Sequence, residues 1–414
     1  MNRYRKFFSN FGPGLAIAAT GVGAGDLVTS AVAGSRYGLG LAWAIVVGAG
    51  LKFALNEGLA RWQLATGTTL ISGWTSHFGN WVKWSFLLYL VLWSWVVGGA
   101  LASACGLAAH SLFPNFSIPV WGSIHSLVAI LFVLWGRYLW FERLMKIFVA
   151  LMFCSLIVSA LIIVDGSQWM SVFTGVWSLP QQGWQFSLGV MGGVGGSLTL
   201  LSYGYWLQEK GWTHASKLRA VRWDLGVAYG LTALFALAVM GLADELSHSR
   251  HVAIEGPTGL LSMAEMLGEV LGPIGKWSFL IGFWGAVATS MLGVWQSVPY
   301  LFSDLLSRWN RQQSADRSMD IRLTQSKSYR GYLFFLGIAP LPLLVMEKPF
   351  AIIIAYAVVG SFFMPFLAAT LIYLNRKRWV GELSNGRLSA GVLWAALLLF
   401  LILSGAGLAK VMIQ

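Results

Sequence analysis

Gly12 to Ser35 reads GPGLAIAATGVGAGDLVTSAVAGS, an apolar run long enough to cross a bilayer but interrupted by Gly21, Gly23 and Gly25, with Asp26 just past the interruption. A carboxylate is expensive inside a membrane, and intramembrane ionisable residues generally face a cavity and mark a solute, ion or proton path. Clustered glycines let a helix unwind where its released carbonyl and amide groups can line a site. The stretch has an echo: Gly193 to Ser202 reads GVGGSLTLLS, against GVGAGDLVTS from Gly21 to Ser30. Two broken segments in corresponding positions point to a transporter built from inverted repeats, with its site between the breaks.

The composition agrees. With 57% hydrophobic and 11% charged residues, and a mean hydropathy of +0.68, a soluble protein of 414 residues would lack a polar surface. The apolar segments number eleven: 12–33, 40–62, 84–108, 118–136, 144–164, 186–207, 224–243, 275–302, 331–346, 350–374 and 388–409. Each is compatible with the roughly 20 residues that span a bilayer. Glu347, Lys348 and Pro349 alone separate the ninth from the tenth. The net charge of +12 follows this topology and implies no nucleic-acid partner. Most of the 28 basic residues fall in alternate loops, among them Arg3, Arg5, Lys6, the run from Lys210 to Arg222, and Arg308 to Arg330. The positive-inside rule therefore places the amino terminus in the cytoplasm and the carboxyl terminus outside, in the cell's inner membrane. Residues 1–414 read as a single transmembrane domain: 12–164 and 186–374 as two repeats, and 388–409 as an extra helix. The longest polar stretches, Ser307 to Arg330 inside and Ala243 to Pro257 outside, are too short to fold alone. Cys105 and Cys154 lie in apolar segments and read as small buried residues.

Several motifs resemble a family. They are Gly12-Pro13-Gly14, VAGSRYG from Val32 to Gly38, Ala60-Arg61 followed by Thr66-Gly67, Gly136-Arg137 with Glu142, Asp224 opening the seventh span, and Met364-Pro365-Phe366. In order and spacing this set resembles the NRAMP (natural resistance-associated macrophage protein) divalent-metal transporters. The resemblance implies an all-α LeuT-type fold, with spans one to five and six to ten as inverted repeats and an eleventh helix added. It also implies transport by alternating access. The inner residues depart from the family. Its Asp-Pro-Gly-Asn falls at Gly23-Ala24-Gly25-Asp26, and its Met-Pro-His at Gly196-Ser197-Leu198, which removes the thioether that selects soft metals. The paired acidic residues of its third helix, associated with proton movement, fall at Gly98 and Leu101, and its tenth-helix Gln near Ala357 or Tyr356.

Each polar group also has a plainer reading. Asp26 could cap the second half of the first helix, where its charge also suits the helix dipole. Lys52 lies deep in the second span and needs a partner, by snorkelling or through a carboxylate such as Asp26 or Glu57. Glu57 is one turn from Arg61 and can pair with it. His110 and His125 have no neighbouring ligand at metal-binding spacing. Most of the 22 tryptophans read as interfacial anchors, with Trp93, Trp95 and Trp206 placed to face a cavity.

No nucleophile with a base and no phosphate loop is present, so the sequence does not read as an enzyme and calls for no cofactor. Three functions remain. The first is a carrier of a hard cation, magnesium- or manganese-like, using Asp26 with hydroxyl and backbone oxygens from Thr29, Ser197 and Thr199, at a substrate site that also includes Gly23, Gly25, Gly193 and Gly196. The second is a carrier of a small organic solute, for which Gly192-Gly193 and Gly195-Gly196 provide room and helix ends able to bind a carboxylate or amine. The third is a scaffold that keeps the fold without transporting. The glycine breaks disfavour the scaffold, and the resemblance tips the choice to the cation.

Overall fold

The computed structural model describes Gly14 and residues 22–135, 138–166, 169–170, 172, 184–251, 254, 256–307 and 326–413. Among these residues the elements are helices and turns, with no strand. In a bilayer that is one of only two ways to satisfy every backbone polar group.

The first described helix, α1 (Ala24–Tyr37), starts at the glycine cluster and ends at Gly38, whose φ of 59° takes the chain out of the helix. A 3₁₀ turn over Gly38–Leu41 then feeds α2 (Ala42–Thr66), which Gly67 closes in the left-handed conformation. Next come the short α3 (Leu70–His77), capped by the Thr69 side chain, then α4 (Asn80–Leu112), α5 (Ile118–Trp135) and α6 (Tyr138–Ile163). The sixth span is split into α7 (Trp184–Gly193), a 3₁₀ turn over Leu198–Leu201 and α8 (Ser202–Glu209). It is followed by α9 (Leu218–Arg250), α10 (Gly256–Leu271), α11 (Pro273–Ser307) and α12 (Lys327–Ile338). The chain ends with α13 (Pro349–Ser361), α14 (Phe363–Leu374) and α15 (Arg387–Ile413). At 33 and 35 residues, α4 and α11 run about 50 Å, beyond the ~30 Å hydrocarbon layer, so they tilt or emerge from it.

Nine segments among the described residues are long and apolar enough to cross a membrane, one of them the 43-residue stretch Ala24–Thr66 that contains both α1 and α2. The protein is an integral membrane protein. In the apolar window of Phe186–Glu209, 94% is buried inside the protein, against 22% for Ile118–Trp135 and 28% for Arg387–Gly405. The sixth span therefore runs through the centre, while α5 and α15 lie at the lipid edge, where Trp135, Leu388 and Ile402 are exposed.

Three local features differ from expectation. Residues 243–250 belong to α9 rather than to an external loop, and α10 follows, burying Leu260, Met263, Met266 and Leu267 against α6 and α11. At 16 residues α10 is too short to be read as a span. The tenth span is interrupted at Phe362 between α13 and α14, where Pro365 has no amide to bond back to Ser361. Finally, Cys154 is exposed although Cys105 is buried, and Trp95, 40% exposed, turns outward and donates to the Ala339 carbonyl.

Candidate functional site

The break in the sixth span is made by two residues. Gly195 and Gly196 have φ of 71° and 78°, in the left-handed region that L side chains avoid. Turning there diverts the amides that would have continued the helix: Gly196 N bonds to Gly193 O at 2.9 Å, and Leu200 N to Ser197 O at 3.1 Å. The carbonyls of Gly192 and Gly196 are thereby left without their i+4 amides. Both, with that of Val194, converge on one atom. Lys52 Nζ donates to Gly192 O at 2.8 Å, to Val194 O at 2.5 Å and to Gly196 O. An ammonium has three donors, and here all three are used. Lys52 is fully buried. The expected carboxylate partner is replaced by backbone oxygens: Asp26 attracts Lys52 through its charge, while Glu57 points elsewhere.

On the facing element, α1 begins just after Gly23, which caps it without a side-chain hydrogen bond. Asp26 is the third residue of the helix, so the capping role is not the one it takes. Its Oδ2 accepts from Gly195 N at 3.4 Å across the two breaks, and Oδ1 has no hydrogen-bond partner among the described residues. Asp26 is fully buried. Its position in the first turn gives it the favourable end of the α1 dipole.

Glycine lets the two breaks meet. A Cβ on Gly193 would lie 2.8 Å from Thr29 Oγ1 and 3.2 Å from Gly25 O, and one on Gly25 would lie 3.2 Å from the Tyr356 ring. A Cβ on Gly23 would collide with the Ser290 hydroxyl. Thr29 Oγ1 donates to Gly25 O at 2.6 Å, which leaves its lone pairs available. Ser197 Oγ accepts from the buried Trp93 Nε1 at 3.1 Å and is hydrogen-bonded to Tyr356, and Thr199 sits over Gly196. The structure thus gathers Gly23, Gly25, Asp26, Thr29, Gly193, Gly196, Ser197, Thr199 and Lys52 around one junction. The interruption of the first span is described only on its Asp26 side, since residues 15–21 lie outside the described residues.

Glu57 is excluded from that group. Its carboxylate receives Arg61 Nε at 2.6 Å and Arg222 Nε at 2.8 Å, and Arg61 also donates to the carbonyls of Leu383 and Ser384. Two residues the sequence reading passed over belong at the junction instead. Tyr229 packs its ring against Gly195, and Asn56, one turn beyond Lys52, donates to the Tyr229 hydroxyl at 2.9 Å and keeps its own Oδ1 unpartnered. Asn56 had a signal, as a buried amide on the Lys52 face of α2. Two further carboxylates clamp the neighbouring chain. Asp224 accepts from Gly14 N at 2.6 Å and Tyr203 Oη at 3.2 Å, and Asp304 accepts from Thr69 Oγ1 at 2.7 Å and Tyr205 Oη at 2.8 Å.

The donor set is hard. Among the described residues no group of three or more His, Cys, Asp and Glu side chains could hold a metal ion. Gly98, which the sequence resemblance sets against an acidic residue, presses on α12 and the turn after it: a Cβ there would meet Leu336 O at 2.7 Å and collide with the Pro340 ring. That position has no space for a carboxylate.

The profile of the natural resistance-associated macrophage protein-like (Nramp) family matches residues 14–410. The chain belongs to this family. Relatives of the chain include an uncharacterized protein of Pasteurella multocida, 25% identical over 281 residues that cover 66% of this chain and 64% of that one. Another is the divalent metal cation transporter MntH of Listeria monocytogenes, 28% identical over 150 residues, covering 36% of this chain and 33% of the relative. The chain thus matches less than two thirds of the length of these curated relatives. The solved manganese transporter of Eremococcus coleocola superposes with a TM-score of 0.70 at 14% identity, covering 97% of this chain and 86% of that one. MhsT, solved in complex with L-phenylalanine, superposes at 0.63 and 14% identity, over 95% and 97% of the two chains. The Nramp-like chain therefore has the LeuT-type fold.

Gly195 gives this Nramp-like junction a direct test. Gly195→Ala forces a side chain into a left-handed residue, at about 1–2 kcal/mol, and drives its methyl into the Tyr229 ring, at about 1 kcal/mol more. A loss of about 2–3 kcal/mol in chemical denaturation is expected. A neutral substitution would show that the break does not keep this conformation.

Proposed function

We propose that this protein carries a hard divalent cation, magnesium- or manganese-like, across the cell's inner membrane by alternating access. In this reading the amino terminus is cytoplasmic, the carboxyl terminus is outside, and the two repeats rock around the junction of the two breaks. One observation carries the proposal: a fully buried carboxylate, Asp26, presents an oxygen without a partner at that junction. Such an oxygen is costly in a protein interior unless a cation or donor reaches it. The neutral oxygens of Thr29, Ser197, Thr199 and Asn56 around it suit a hard ion, and no thioether or imidazole joins them. With the break carbonyls held by Lys52, the ion meets one full negative charge and retains much of its water, as magnesium readily does. Because Gly98 and Leu101 stand where the family keeps acidic residues, movement proceeds without that proton path. An organic solute fits less well: the carbonyls that would bind an amine are taken by Lys52, and the rings of Tyr229 and Tyr356 fill the space beside Gly195 and Gly25.

The test is uptake into proteoliposomes of magnesium, manganese and cadmium, beside a panel of amino acids and amines. Magnesium or manganese is expected to enter, and cadmium to compete at least ~10-fold more weakly, since among the described residues no soft donor is placed at the junction. Cadmium uptake matching that of manganese, or uptake confined to the organic solutes, would overturn the proposal.

A further inference from the structure

The carbonyl cradle in the sixth span has the form of a cation site, and the chain fills it from within. Three backbone oxygens, from Gly192, Val194 and Gly196, point at a single centre inside the protein, and that centre is the ammonium of Lys52. Such a convergence needs a cause. Carbonyl oxygens turned inward by a break repel one another and have no water to bond, so an unfilled cradle would be unfavourable. Asp26 places a carboxylate beside it, through the contact of Oδ2 with Gly195 N. Among the described residues Lys52 has no carboxylate in ion-pair contact and is fully buried, so these oxygens and the nearby Asp26 are what compensate it there. Asn56 and Tyr229, the polar neighbours on α2 and α9, bond to each other and do not compete for the ammonium.

We propose that Lys52 is a tethered resident cation: the cradle is a primary-ammonium site occupied in cis, which keeps the break carbonyls from the transported ion and leaves Asp26 as its one anionic ligand. The placement of the transport site between the breaks underlies the second half of this statement. The first half, that the cradle binds a primary ammonium, stands without it. One consequence concerns the empty carrier. Asp26 and Lys52 together are neutral, so the unloaded junction can be carried through the low-dielectric middle of the protein without a counter-ion.

The test uses the full-length protein with Lys52→Ala, which removes the tether and leaves the cradle open. Melting temperature is followed while methylammonium, ethylammonium and n-propylammonium are titrated in, with n-propanol and tetramethylammonium as controls of similar bulk. The variant is expected to melt below the wild type. At saturation a primary ammonium is expected to raise its melting temperature by roughly 3 °C or more, with no such rise in the wild type, whose cradle is filled. The controls should do nothing, because one lacks charge and the other lacks N–H donors. Equal effects of propanol and propylammonium, or no rise with any ammonium, would overturn the proposal. Should Lys52→Ala not yield folded protein, the same titration is made on Asp26→Asn/Lys52→Ala, which carries no uncompensated buried carboxylate. A selective rise there supports the cradle, and its absence refutes it. Cation uptake plays no part in this readout, so a failure of the transport reading and a failure of the ammonium site are told apart.

Discussion

Asp26→Asn is expected to reduce cation uptake at least ~100-fold in a protein that still folds. The substitution keeps the size of the side chain and an oxygen able to accept from Gly195 N, but removes the one carboxylate found at the junction among the described residues. Lys52 retains its three carbonyl acceptors in the variant, so the sixth-span break remains satisfied and the protein folds, although the buried ammonium loses the nearby charge of Asp26 and the melting temperature falls. For a divalent ion in a site of low dielectric, the loss of one anionic ligand is worth several kcal/mol, and each 1.4 kcal/mol is a factor of ten. Uptake by the Asn variant at wild-type rate, measured beside its melting curve, would reduce Asp26 to a structural contact between the two breaks.

The second large effect lies away from the junction, at Glu57. Its carboxylate and the Arg61 guanidinium are each about 5% exposed and 2.6 Å apart, so removing the acid leaves a buried cation without its ion partner. Breaking such a pair costs about 3–5 kcal/mol, and the Leu383 and Ser384 carbonyls that also hold Arg61 favour the lower end. Glu57→Ala is therefore expected to destabilise the protein by about 3 kcal/mol. Arg222, the third member, is 49% exposed, and Arg222→Ala should cost no more than about 1 kcal/mol. Equal losses from the two variants in chemical denaturation would contradict the assignment of the buried pair as the structural one.

Glu57 and Lys52 show where the sequence is readable and where it is not. Both sit in α2, five residues apart. The partner of Glu57 was legible because it lies one turn away on the same helix, at Arg61. The partners of Lys52 were not, because a carbonyl freed by a helix break has no residue letter of its own. The glycines announced the break, yet the atom that would fill it depends on which way α2 packs against α7. The same limit applies to Asp26. The pattern placed it at the start of a half-helix, but whether it caps that helix turns on three residues of register, and Gly23 takes the position. At Gly98 the sequence shows only the absence of an acid, while packing shows why none would fit: α12 approaches to within a side chain's width. The α10 helix went unread for a reason of length, being apolar on the face it buries but too short to suggest a span.

The most direct measurement of the central claim is a structure of the full-length protein with manganese, locating the ion by its anomalous scattering. The account predicts a single ion at the junction of the two breaks, bound to Asp26 Oδ1 at the roughly 2.0–2.6 Å of hard-cation oxygen bonds, with Lys52 still seated on the Gly192, Val194 and Gly196 carbonyls. An ion found elsewhere in the protein, with Asp26 Oδ1 uncoordinated, would contradict it.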